Sequence, residues 1–242
     1  MTAYWIWICL TTHVWSQSLR NDEIVRTADG DTIPFAWTGG MNAPQFSVDD
    51  FDDDGRDDLL VYDRQDHTYF FLSAMQKHEP DWNRWLDNVS FTDFVLVRDF
   101  DRDGRGDLFT GYYNTIRVWR NEAKSGRPAR YRLFANPLKS KYYDSILDLY
   151  CAGIDLPGIE DVDGDGDLDL MVYDVGGTKV EYHRNLALEK HNRLDKLDFE
   201  LASACWGHFY EQYDALSNIN TLVLDIPPCP GEFKTTHAGG TL

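Results

Sequence analysis

Fifteen of the 41 acidic residues of this chain sit in three nine-residue windows, and all fifteen are aspartate. Residues 50–58 hold six, residues 99–107 four and residues 161–169 five. The windows are copies of one another. Asp50-Phe51-Asp52-Asp53-Asp54-Gly55-Arg56-Asp57-Asp58-Leu59 aligns with Asp99-Phe100-Asp101-Arg102-Asp103-Gly104-Arg105-Gly106-Asp107-Leu108, and both align with Asp161-Val162-Asp163-Gly164-Asp165-Gly166-Asp167-Leu168-Asp169-Leu170. Their starts lie 49 and then 62 residues apart. Repetition at this spacing marks a chain assembled from stacked units. The longer second interval leaves room for an insertion, in residues 123–130 or near residues 139–143.

The flanks repeat as well. Val48, Val97 and Ile159 stand two places before the first Asp of each window, and Leu59-Leu60-Val61, Leu108-Phe109-Thr110 and Leu170-Met171-Val172 follow the last. Short apolar and β-branched runs of this kind are strands. Further strand patterns occur at residues 68–72, 116–119, 179–182 and 199–202, and no long segment sustains a helical period. Each unit therefore reads strand, Asp loop, strand, then one or two outer strands. Units of about 40–60 residues with about four short strands are the pattern of propeller blades, which bury their faces only against neighbours. The expected fold is all-β: about three propeller blades with partial flanking blades, in an incomplete ring over residues 22–242.

Clustered Asp with Gly inside is costly unless a cation sits among the carboxylates. Within each window, Asp at positions 1, 3, 5 and 9 can point at one centre, and Gly at position 6 permits the turn that brings position 9 back. This gives Asp50, Asp52, Asp54 and Asp58; Asp99, Asp101, Asp103 and Asp107; and Asp161, Asp163, Asp165 and Asp169 as side-chain ligands. The position-7 carbonyls of Arg56, Arg105 and Asp167 add one main-chain oxygen each, while the Asp53, Asp57 and Asp167 side chains point away. Such oxygen-only sets suit Ca2+, about three ions in all; Mg2+ prefers fewer carboxylates, and Zn2+ or iron wants His or Cys. An EF-hand needs a Glu at position 12 between helices. Here that position holds Val61, Thr110 and Val172, between strands.

The remaining composition limits the partners. A net charge of −18 repels nucleic acid and anionic membrane, and no apolar run spans a bilayer. Residues 1–18 read as a cleaved secretory signal, with Val14-Trp15-Ser16 at the cleavage place. Beyond Cys9 remain Cys151, Cys205 and Cys229. In an exported protein one pair bonds, and Cys205–Cys229 closes the shorter loop; the alternative is three reduced, buried thiols. The histidines at 67, 78, 183, 191, 208 and 237 lack metal-ligand spacing, and no Gly-x-Ser-x-Gly elbow occurs. Trp82, Trp85, Trp119 and Trp206 are blade core, or else a glycan platform.

The Asp-x-Asp-x-Asp-Gly-x-x-Asp-Leu arrangement between strands, over residues 40–204, resembles the FG-GAP or VCBS repeat known from the integrin α-subunit propeller. There the loop lies in a hairpin of each blade and binds calcium. The chain is also similar to exported FG-GAP proteins of Bacteroidetes, on the runs Gly39-Gly40-Met41-Asn42-Ala43-Pro44, Asp155-Leu156-Pro157-Gly158 and Cys205-Trp206-Gly207. In that group another Asp loop follows a turn like Thr236-His237-Ala238-Gly239, so a region cut short at its C-terminus is expected. The resemblance implies a secreted or cell-surface, non-enzymatic, calcium-binding module for adhesion, with an extracellular protein or glycan as partner. A non-catalytic scaffold within a larger exported polysaccharide-degrading enzyme is the alternative.

Overall fold

The computed structural model describes residues 26–31, 41–72, 85–214 and 219–224. The expected signal segment, the C-terminal turn at Thr236, Cys9, Cys229 and Trp82 lie outside these. The chain divides into two compact units, Met1–Gly40 and Met41–Leu242. Of the first, residues 26–31 form a turn closed by the Thr27 N–H on the Asp31 carbonyl at 2.8 Å. The second carries every named strand.

That second unit is nearly all β, built from several antiparallel sheets. β1 (Pro44–Asp49), β2 (Asp58–Asp63) and β3 (Thr68–Leu72) form the first sheet in chain order. β4 (Val95–Arg98), β5 (Asp107–Tyr112), β6 (Thr115–Asn121) and β7 (Tyr131–Ala135) form the second in the same manner. A hairpin of β8 (Lys139–Tyr142) and β9 (Ser145–Asp148) precedes the third sheet, β10 (Gly158–Glu160), β11 (Asp169–Tyr173), β12 (Val180–Asn185) and β13 (Phe199–Ser203). The hairpin is the insertion, at the second of the two places the sequence allowed. It joins the outer edge of the third sheet by a parallel pairing of β8 with β13, Ser140 opposite Phe199. A five-residue helix, α1 (Ala187–His191), links β12 to β13, and β14 (Tyr210–Asp214) pairs with β15 (Ile219–Val223).

The sheets stack through alternating side chains. Neighbouring residues of a strand face opposite ways, and in β5 both faces are closed: Leu108 and Phe109 are each 0% exposed. Leu108 packs with Phe51, Leu60, Tyr62 and Phe71 of the first sheet region, and Phe109 with Ile159, Leu170 and Val172 of the third. The second sheet is thus held between the other two.

First strands of adjacent sheets lie side by side without a main-chain ladder, so side chains supply the missing acceptors. The buried Gln45 Oε1 accepts the Val95 N–H at 3.0 Å, and Ser47 Oγ accepts the Val97 N–H at 3.3 Å. One sheet further on, Arg98 Nε donates to the Ile159 carbonyl at 3.0 Å. Arg64 reaches across all three, donating to the carbonyls of Asp93 at 2.9 Å and Gly153 at 2.7 Å.

Candidate metal centre

Each Asp window forms the turn of a hairpin, between β1 and β2, β4 and β5, and β10 and β11. The register is the same in all three: Asp49 faces Asp58, Arg98 faces Asp107 and Glu160 faces Asp169. Position 9 is therefore the first residue of the second strand, and these aspartates are buried, at 3%, 1% and 0% exposure. One oxygen of each accepts the N–H of position 2: Phe51 at 3.1 Å, Phe100 at 3.2 Å and Val162 at 3.0 Å. Phe51 and Phe100 are core residues, so position 2 anchors the loop to the sheets while position 9 closes it.

Two left-handed residues make the turn between them. Gly55, Gly104 and Gly166 at position 6 have φ of 85°, 86° and 107°, a region that suits residues without a Cβ. Position 4 is left-handed too, at Asp53, Arg102 and Gly164 with φ of 59°, 56° and 78°.

The carboxylates at positions 1, 3 and 9 converge. Oxygens of Asp50, Asp52 and Asp58 lie within 4.8 Å of one another, as do those of Asp99, Asp101 and Asp107, and of Asp161, Asp163 and Asp169. Oxygens sharing one calcium at about 2.3–2.6 Å stand no more than about 5 Å apart, so each trio meets that geometry. Position 5 is placed differently. Asp54, Asp103 and Asp165 each accept the N–H of position 7, at 2.9, 3.0 and 3.0 Å. Asp54 and Asp103 stand outside the trios, while Asp165 groups with Asp163 and Glu189. Position 1 is held from behind: Asp50 accepts the N–H groups of Asp54 and Gly55, and Asp99 those of Asp103 and Gly104, at 2.8–3.1 Å.

Electrostatics make these sites fit a hard divalent cation. Burial, above all, pushes Asp107 up to about 8, against the N–H donors that favour its ionised form. Burial likewise raises Asp52, Asp101 and Asp169, with nearby aspartates adding repulsion. The Asp101 side chain is 2% exposed, and the Arg120 guanidinium already lies against its Oδ2. Buried carboxylates carrying this much like charge want a cation.

Several residues that the sequence reading passed over contribute. Asp107 Oδ1 accepts the Asn121 N–H at 2.7 Å, and Asp169 Oδ1 accepts that of Asn185 at 2.9 Å. Arg120 and Arg184, one place before those asparagines, pair with Asp101 and Asp163 at position 3. The shared Arg-Asn pair at residues 120–121 and 184–185 was the available signal. Asp167 stands outside the trios and is buried, and its Oδ2 accepts the Leu188 N–H in the first turn of α1 at 3.1 Å. Asp53 accepts the N–H of Gly126 from the β6–β7 connection. Asp57 is exposed.

Away from the loops, Ser140, His183 and Glu181 form a chain no local motif announces. Ser140 Oγ lies 2.8 Å from His183 Nδ1, and His183 Nε2 lies 3.3 Å from Glu181 Oε2. A carboxylate only accepts, so Nε2 carries the proton and Nδ1 accepts from the serine hydroxyl. Ser140 and His183 are 1% and 0% exposed. The chain fastens the β8–β9 hairpin to the third sheet. Trp119 is core and donates to Thr110 Oγ1, Trp85 packs on Phe51 and Phe71, and Trp206 is 40% exposed. Cys151 is free and buried, its thiol pushed up to about 12 mainly by burial. Cys205 is disulfide-bonded, so its partner lies outside the described residues.

Comparison of the chain with protein-family models, with curated proteins and with solved structures returns no match.

Proposed function

We propose that this protein is an exported, calcium-binding β-propeller module of the FG-GAP or VCBS kind, acting by binding rather than by catalysis. The supporting observation is the threefold convergence of carboxylates from positions 1, 3 and 9 at equivalent hairpin turns. Calcium there is structural. It neutralises buried carboxylates and ties the two inner strands of each sheet, and its binding energy adds to folding because the unfolded chain offers no such site. The carboxylates of positions 1, 3 and 9 hold the ion, and the Asn121 and Asn185 N–H groups keep position 9 in place. A disulfide at Cys205 fits an oxidising compartment.

A protein or glycan partner is the reading for the opposite end of the sheets. The turn after β11 helps enclose a cavity of about 500 Å³ lined by Tyr150, Ile154, Asp155, Tyr173, Val175 and Glu211. Ile154 and Val175 there, with Tyr113 on the β5–β6 turn, are large apolar side chains left 70–90% exposed, roughly, which favours an interaction surface.

Thermal melts of the chain in a chelator and in about 1 mM Ca2+, near the affinity range of extracellular calcium modules, test the calcium reading. A calcium-dependent rise of the midpoint supports it, and equal midpoints refute it.

A further inference from the structure

We infer that Arg120 and Arg184 are built-in counter-ions of the second and third Asp loops, which hold the position-3 carboxylates in the calcium-free fold and weaken calcium binding there. This rests on the calcium reading above and concerns how these two sites are tuned.

The register places both arginines alike. Leu108 pairs with Trp119 across β5 and β6, and Leu170 pairs with His183 across β11 and β12. Arg120 and Arg184 each follow one residue later and reach the position-3 carboxylate of their own loop. Arg120 ion-pairs with Asp101 Oδ2, and Arg184 Nη1 lies 3.6 Å from Asp163 Oδ2. Both aspartates belong to the converging trios. Arg184 also lies 3.4 Å from Glu189, and Arg102 stands 4.0 Å from Asp161, so the third loop has a further guanidinium at its rim.

Ion pairs at the surface add little to stability, so general stabilisation is a poor account of a pair repeated at one register. Asp101 is different, because its side chain is 2% exposed and the Arg120 guanidinium lies against its Oδ2. The guanidinium there offsets the charge that burial would leave uncompensated. The same guanidinium repels an arriving divalent ion and holds an oxygen the ion needs. A unit charge a few ångströms from a partly solvated site shifts divalent affinity by about tenfold.

The experiment is calorimetric titration of CaCl2 into the full chain and three variants. Arg120→Gln with Arg184→Gln is expected to tighten calcium at the second and third loops about tenfold, and to lower the melting point of the calcium-free protein because the position-3 carboxylates lose their counter-charge. Arg120→Lys and Arg184→Lys, which keep the charge, stay near wild type and show that folding is intact. Calcium binding that is unchanged or weaker in the Gln variant overturns the inference while leaving the calcium reading standing. A wild-type chain that takes up no calcium refutes the calcium reading itself, and the inference with it.

Discussion

Asp107 Oδ1 accepts the main-chain N–H of Asn121 at 2.7 Å, which fixes the last carboxylate of the second loop to the third strand of its sheet. Asp169 and Asn185 repeat the contact at 2.9 Å. The asparagine side chains extend the chain of contacts: Asn121 Oδ1 accepts the N–H of Arg130, and Asn185 Oδ1 that of Asp198, each at 3.0 Å. The position-9 oxygens are thus oriented by strands on both sides, so that a cation taken up there would cost little reorganisation.

Asp107→Asn separates the two roles of that carboxylate. Asparagine resembles the protonated acid and keeps one of the two accepted N–H groups, so the calcium-free protein loses only about 1 kcal/mol. Calcium loses an anionic ligand, and the calcium-dependent gain in stability at the second loop disappears. Paired chemical melts with and without calcium read both effects.

Stability should depend on pH in opposite senses with and without calcium. Asp107 rises to about 8 and Asp52, Asp101 and Asp169 are raised above 3.8 in the calcium-free fold, so they hold protons there that the unfolded chain has released. Stability of the calcium-free protein therefore falls as pH climbs from about 4 to about 8. Calcium binds the ionised form, so its affinity climbs over the same window. Melting midpoints at pH 5 and pH 8 in calcium-free and calcium-replete buffer measure both slopes, and the gap between the buffers is expected to widen toward pH 8.

Ser140→Ala removes the partner of a fully buried histidine nitrogen. The expected cost is about 1–3 kcal/mol by urea unfolding, with calcium uptake unchanged. A fluorophosphonate that labels accessible nucleophilic serines leaves Ser140 unmodified, since it is 1% exposed.

Gly106→Ala tests the close approach of the second loop to β1. An added Cβ would lie 2.3 Å from Val97 Cγ1 and 2.6 Å from Asp49 Oδ2, the oxygen that accepts the Gly106 N–H at 2.9 Å. Crowding of this kind costs about 1–3 kcal/mol, and the loss should appear in chemical unfolding without calcium.

The strands were readable because each carries its own alternation and because three copies align. Val48, Val97 and Ile159 sit on β1, β4 and β10, where the repeat put them. Gly55, Gly104 and Gly166 are left-handed where the repeat put the turn glycine. Hydrogen bonds that join distant segments were not readable. Asp54 and Asp103 looked equivalent to their neighbours by spacing, yet the main-chain N–H of position 7 draws them off the trio. The partner of the Asp167 side chain, the Leu188 N–H of α1 about twenty residues on, was not readable either. Ser140 and His183 meet only because the inserted hairpin folds back onto β13, a parallel pairing with no local signature. Arg120 and Arg184 were visible as a repeated dipeptide, but their reach to Asp101 and Asp163 depends on the twist and register of the sheets.

Anomalous scattering from crystals grown in CaCl2 tests the calcium sites most directly. Peaks are expected at the three hairpin turns, each about 2.3–2.6 Å from oxygens of the Asp50, Asp52 and Asp58 trio or its two counterparts. A map with no peak at any of the three turns would contradict the assignment of these aspartates as calcium ligands.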